Sequence, residues 1–98
     1  MKPNEDELKT AARAYAATLD KNGVIQTARA LSDRFCTHEV RSRLDSAIFL
    51  VNGPFFGVPQ TEAARSLISR ALYYATKYAL CAREREEALT VLKPHLPG

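Results

Sequence analysis

Apolar residues recur along this chain at steps of three and four, the spacing of one helix face, and no bounded segment shows the alternation of a strand. From Glu5 to about Leu19 the stripe is Leu8, Ala11, Ala12, Tyr15, Ala16 and Leu19. Asn4 suits the cap, and Glu5, Asp6 and Glu7 suit the positive end of the helix dipole. Asp20-Lys21-Asn22-Gly23 is expected to end this helix, with Gly23 in a left-handed turn. A second helix is predicted over Val24–Phe35, with Val24, Ala28, Leu31 and Phe35 inward. A third is predicted over His38–Val51, capped by Thr37, with Val40, Leu44, Ala47, Ile48 and Val51 inward. Nothing between Arg34 and Glu39 is a strong breaker, so the alternative is one fused helix; a break near Cys36–Thr37 is favoured.

Two glycines and two prolines between Asn52 and Gln60 forbid a regular element there. Phe55 and Phe56 in this loop read either as anchors to the core or as an exposed aromatic interaction surface. Thr61 is expected to cap a long apolar stripe: Ala64, Leu67, Ile68, Ala71, Leu72, Tyr74, Ala75, Tyr78, Ala79 and Ala82, resumed by Ala88, Leu89, Val91 and Leu92. The highly charged run Arg83–Glu87 reads as solvated surface. Either one helix spans 61–92 or a bend near 82–84 turns its end back. The fold class predicted is all-α: one domain over 1–98, a bundle of four to five helices with a long C-terminal helix. Its core is expected to hold Leu8, Tyr15, Leu31, Leu44, Ile48, Leu67, Leu72, Ala75 and Tyr78. A straight helix over 61–92 would be about 48 Å long, which argues for a bend or for a partner chain over its far end. With the Phe55-Phe56 pair, that length leads to an expectation of self-association.

Composition adds that much of the 46% apolar content is alanine, which favours close helix packing over a deep ligand pocket. The net charge of +3 is uneven: between residues 20 and 83 nine bases face five acids, and arginine dominates. Its planar fork suits phosphate. No apolar run is long enough to span a bilayer and the polar N-terminus is no leader, so a cytoplasmic protein with no membrane partner is expected.

Catalytic chemistry is not indicated. There is no glycine-rich phosphate loop, no His pair on a helix face and no Ser-His-Asp order. Cys36 and His38, two apart, would not face each other on a helix and have only Glu39 nearby as an orienting acid. No enzyme, cofactor or metal site is therefore expected. Cys36 and Cys81 lie among apolar or alanine neighbours and read as buried thiols. His95, between Pro94 and Pro97, belongs to a loose tail. The basic side is richer. Arg70, Tyr73 and Lys77 form one strip beside the buried stripe, and Arg34, Arg41 and Arg43 bracket the turn into the third helix. Cations beside an aromatic ring are what a single-stranded backbone with stackable bases requires. Residues 27–44 also read as a helix-turn-helix, with Ala30 as the small residue, Phe35 as the turn anchor and Val40 in the recognition-helix core. Arg41 and Arg43 would then face a DNA groove.

Thr37-His-Glu-Val-Arg41 resembles the Thr-x-Gln-hydrophobic-Arg signature of the small helical subunit of type III CRISPR effector complexes. Leu72-Tyr73-Tyr74-Ala75 followed by Lys77, and Tyr15-Ala16, are similar to further marks of that family. Glu39 stands where glutamine is usual, and Ser69-Arg70-Ala71 where a Lys-Pro-Lys-like stretch is usual. The resemblance implies a non-catalytic antiviral-defence role, with copies stacked beside other protein subunits. Arg41 would lead in holding a single-stranded RNA backbone, supported by Arg34, Arg43, Arg70 and Lys77. A second resemblance joins Pro59-Gln-Thr-Glu62 and Ala71-Leu-Tyr-Tyr-Ala75 to phage helical-hairpin proteins that sequester nucleotide immune signals. It implies an oligomer around a cyclic dinucleotide.

Overall fold

A computed structural model describes residues 3–53 and 58–97. Among them are five α-helices and no strand: α1 (Glu5–Ala17), α2 (Lys21–Arg34), α3 (His38–Asn52), α4 (Val58–Tyr78) and α5 (Ala82–Leu92). A short 3-10 turn, Lys93–His95, follows. The predicted Phe55 and Phe56 surface lies outside the described residues.

The start of α1 is set locally. The Asn4 side chain accepts from the Glu7 N–H at 2.8 Å, and the Glu7 carboxylate accepts from the Asn4 N–H at 3.0 Å, a reciprocal capping box. α2 begins three residues before the predicted Val24, because Asp20 caps it by accepting from the Gly23 N–H at 2.7 Å. Gly23 therefore lies in the first turn of α2, and no described glycine takes the left-handed conformation expected of it. α4 likewise starts earlier than Thr61, at Val58, with Pro59 in a first turn where its missing N–H costs nothing.

α4 is the central element and packs against all four other helices. It runs antiparallel to α1, as three contacts in sequence show. Lys77 meets Glu5, Tyr73 meets Lys9, and Arg65 meets Leu19. Alanine makes this closeness possible: Ala11, Ala12 and Ala16 of α1 and Ala64, Ala71 and Ala75 of α4 are all buried. Larger side chains, including Leu44, Ile68, Leu72 and Leu92, fill the rest of the core. The Cα atoms span 44 × 26 × 17 Å, a flat body about two helices thick.

The long C-terminal helix is not observed. The stripe over 61–92 breaks at Ala79–Cys81, and α5 folds back against α4, so the last helix is only 11 residues long. This removes the uncovered far end, one of the two grounds for expecting self-association; the other, the Phe55-Phe56 pair, lies outside the described residues. The break also exposes Tyr78, at 54%, which the periodicity placed in the core. Tyr15, Ile48 and Leu67 of the expected core are partly buried at its edge, and Leu8, Leu31, Leu44, Leu72 and Ala75 are buried as expected. Both cysteines are exposed rather than buried, because they occupy two of the inter-helix turns, α2–α3 and α4–α5. The tail is tied down: the His95 ring meets Tyr15 edge-on at 5.8 Å between centroids.

One polar contact joins those two turns through the core. Glu84, in the first turn of α5, is 1% exposed and accepts from the Cys36 N–H at 2.6 Å and the Thr37 hydroxyl at 2.7 Å. The same hydroxyl accepts from the Leu80 N–H at 2.9 Å. Thr37 occupies the cap position of α3 as predicted, but its side chain makes no bond to that helix. Burial pushes the Glu84 carboxyl up, yet the hydrogen bonds from Cys36 and Thr37 outweigh it and hold the group below its ordinary value.

Candidate nucleic-acid interface

Antiparallel packing of α1 and α4 leaves a groove along their shared edge. It has a volume of about 540 Å³ and is lined by Lys9, Arg13, Ala16 and Ala17 of α1 and by Glu62, Arg65, Ser66, Ser69, Arg70 and Tyr73 of α4. On α1 the cations sit one turn apart, and small alanines continue the strip. On α4 the lining recurs at helical spacing, so from Glu62 to Tyr73 the groove runs about 16 Å. Four cations face one carboxylate along that length.

The cations differ in freedom. The Arg65 guanidinium is anchored, its Nε donating to the Leu19 carbonyl at 2.6 Å. Lys9 pairs with Glu5 at 3.2 Å and stands 5.3 Å from the centre of the Tyr73 ring. Arg13 and Arg70 are exposed and have no carboxylate within ion-pair distance among the described residues. The groove thus offers two free guanidinium forks, a fixed one, serine hydroxyls and an aromatic edge. That set can bind anionic oxygens and stack a planar group. Among the described residues no group of three or more His, Cys, Asp and Glu is placed to hold a metal ion.

The residues expected to bind do not form one patch. Arg70 and Tyr73 line the groove. Lys77 stands at its end but is paired with Glu5 at 3.4 Å. Arg41 is exposed on the outer face of α3, in a separate depression with His38, Asp45 and Phe49 that shares no lining residue with the α1/α4 groove. Arg34 is exposed in the last turn of α2. Arg43 is held down: it donates to the Glu39 carbonyl at 2.6 Å, and its guanidinium lies 4.9 Å from the centre of the Tyr74 ring. Two residues apart on a helix is roughly 160° of rotation, so Arg41 and Arg43 flank α3 on opposite sides. Arg43→Ala is therefore expected to cost about 0.5–1 kcal/mol of stability through the lost cation–π contact, and to leave anion binding unchanged. Thermal unfolding and a binding titration on the same sample check this.

The helix-turn-helix arrangement fares differently at each position. Phe35 and Val40 are buried as that motif requires, but Ala30 is exposed and Arg43 does not reach outward. The Thr37–Arg41 string is largely accounted for by packing: Thr37 joins Glu84, Val40 is core, and Arg41 reaches solvent.

Sequence reasoning missed Lys9, Arg13 and Arg65. The first two lie in a charge-balanced segment, but the acids there crowd the first turn while the bases follow at i and i+4. That face separation is the signal that a count of charges hides. Phe49 and Leu80, 77% and 84% exposed, were also unforeseen. No described helix is long and apolar enough to cross a membrane. Compared with protein-family models, curated proteins and solved structures, the chain matches none.

Proposed function

We propose that this chain is a non-catalytic binding protein whose α1/α4 groove holds the sugar–phosphate backbone of a single-stranded nucleic acid, RNA foremost. It would serve as a subunit of a nucleoprotein assembly, as its resemblance to the small CRISPR effector subunit implies. The observation that carries the reading is the free pair Arg13 and Arg70 beside Tyr73 in a net-positive groove. Phosphate binding by such a strip is insensitive to base sequence and weakens with salt as counterions are restored to the strand. Arg41 and Arg34 lie outside the groove and are assigned a lesser part, as contacts along a longer strand.

A second reading is favoured by the size of the groove. A volume of about 540 Å³ falls within the range of small-molecule sites, and a cyclic dinucleotide carries two phosphates and two stackable bases. Fluorescence anisotropy across a salt series, with a labelled oligouridylate, a DNA duplex and a cyclic dinucleotide, separates them. The backbone reading predicts tightest binding of the single strand, with log affinity falling by about 0.7 per log unit of salt for each phosphate held. Selective binding of the cyclic dinucleotide would replace it with the second reading. Binding of none of the three would defeat both.

A further inference from the structure

Where the groove reaches the last turn of α4, an anion-binding cluster is already filled by the chain's own carboxylate. Glu5 opens α1, and its two oxygens are shared between two ammonium groups. Oε1 lies 3.2 Å from Lys9 Nζ, and Oε2 lies 3.4 Å from Lys77 Nζ. The Tyr73 ring stands behind both lysines, 5.3 Å from Lys9 Nζ and 5.9 Å from Lys77 Nζ. Lys9 and Tyr73 also line the α1/α4 groove, so the cluster continues it without a gap.

We propose that Lys9, Lys77 and Tyr73 form a terminal phosphate subsite of the groove, and that Glu5 occupies it in the free protein as an internal mimic of the phosphate. The inference rests on the groove reading above and extends it to the state of the site before ligand arrives. A phosphodiester, like a carboxylate, presents two anionic oxygens on one centre, so it meets both lysines in the same way. Glu5 is suited to leave. Its side chain is 51% exposed, and the capping box of α1 uses Glu7 instead, so release of Glu5 does not uncap the helix. The Tyr73 hydroxyl and the two lysines hold the Glu5 carboxyl at about 2, so it is charged at neutral pH and competes as an anion. Solvent-exposed pairs of this kind contribute little on their own, which keeps the exchange open to a polyanion.

The competition has a measurable sign. Glu5→Gln removes the competing charge and leaves both lysines for the ligand. Binding of a labelled oligouridylate is expected to tighten roughly 3- to 10-fold at moderate salt, and its salt dependence to steepen by about 0.7, the value of one phosphate on a single strand. Asp6→Asn is the control for net charge, since Asp6 is exposed, adjacent, and in no ion pair among the described residues. It is expected to give well under half of that gain. In the Glu5→Gln background, Lys77→Gln is expected to return the affinity to near the wild-type value. Equal gains from Glu5→Gln and Asp6→Asn, or unchanged or weaker binding by Glu5→Gln, would overturn the subsite while leaving the groove intact. If neither wild type nor Glu5→Gln binds the strand, the groove reading fails, and this inference with it.

Discussion

Replacing Glu84 with alanine is expected to destabilise the fold by about 3 kcal/mol, lowering the melting temperature by roughly 10–20 °C in a chain of this size. The cost comes from what remains. The Cys36 N–H and the Thr37 hydroxyl both donate to this carboxylate. Without it, a backbone donor and a buried hydroxyl lose charge-assisted bonds, each worth about 1.5–3 kcal/mol. Glu84→Gln should cost less, because its carbonyl still accepts from the Cys36 N–H, although the Thr37 hydroxyl then loses its acceptor. Thr37→Val should be costly as well, since it strands the Leu80 N–H along with a Glu84 oxygen. Because the two residues share one network, the loss in the Thr37→Val, Glu84→Ala double variant should fall short of the sum of the single losses. Additive losses would show that the two turns are held independently.

The same contact gives the protein an acid-sensitive latch. The folded-state carboxyl of Glu84 is held below its ordinary value of 4.5, so its stabilisation is complete above that pH and fades as the pH falls below it. Glu5, at about 2 beside Tyr73, Lys9 and Lys77, acts with the same sign below about 4.5, but its exposure to solvent keeps that contribution small. The decline in melting temperature below pH 4.5 should therefore be shallower in Glu84→Gln. An unchanged acid limb would exclude Glu84 as its source.

The second large effect concerns binding. Reversing both free cations of the groove, Arg13→Glu with Arg70→Glu, should weaken oligouridylate binding roughly a hundredfold or more, because like charges now face the phosphates. Both side chains are exposed and unpaired among the described residues, so stability should change by no more than about 0.5 kcal/mol per site. Arg41→Glu changes the net charge by the same amount per residue from a different surface, and should weaken binding by less than about tenfold. A larger loss from Arg41→Glu than from the groove pair would move the interface to the outer face of α3.

How far the sequence carries depends on which forces fix each part. The Asn4 cap of α1 and the inward face of α3 are local or periodic, and they are readable from residues alone. The break near Cys36–Thr37 is favoured too, but no strong breaker lies between Arg34 and Glu39 to fix it. The break at Ala79–Cys81 is only half readable: a bend near 82–84 is one of two expectations, and nothing local chooses it. Tyr78-Ala-Leu-Cys-Ala-Arg83 contains no glycine or proline, and its propensities favour continuing the helix. Contacts from outside the stripe supply the break. Thr37, distant in sequence, takes the Leu80 N–H, and Arg85 donates to the freed Ala79 carbonyl at 2.6 Å. Glu84 was hidden for the same reason: within Arg-Glu-Arg-Glu-Glu it looks like solvated surface, and only the returning α5 turns it inward. For the groove, α4 shows half of the binding strip in sequence, Arg70 and Tyr73. The other half comes from α1, and only the antiparallel packing brings Lys9 and Arg13 beside it.

Backbone amide and arginine side-chain NMR shifts, followed while unlabelled oligouridylate is titrated into the isotopically labelled protein, test the central claim most directly. The groove account predicts perturbations concentrated at Lys9, Arg13, Ser66, Ser69, Arg70 and Tyr73, with Arg13 and Arg70 side chains among the largest and with the same pattern for unrelated base sequences. Perturbations centred instead on His38, Arg41, Asp45 and Phe49, or none at saturating strand, would contradict it.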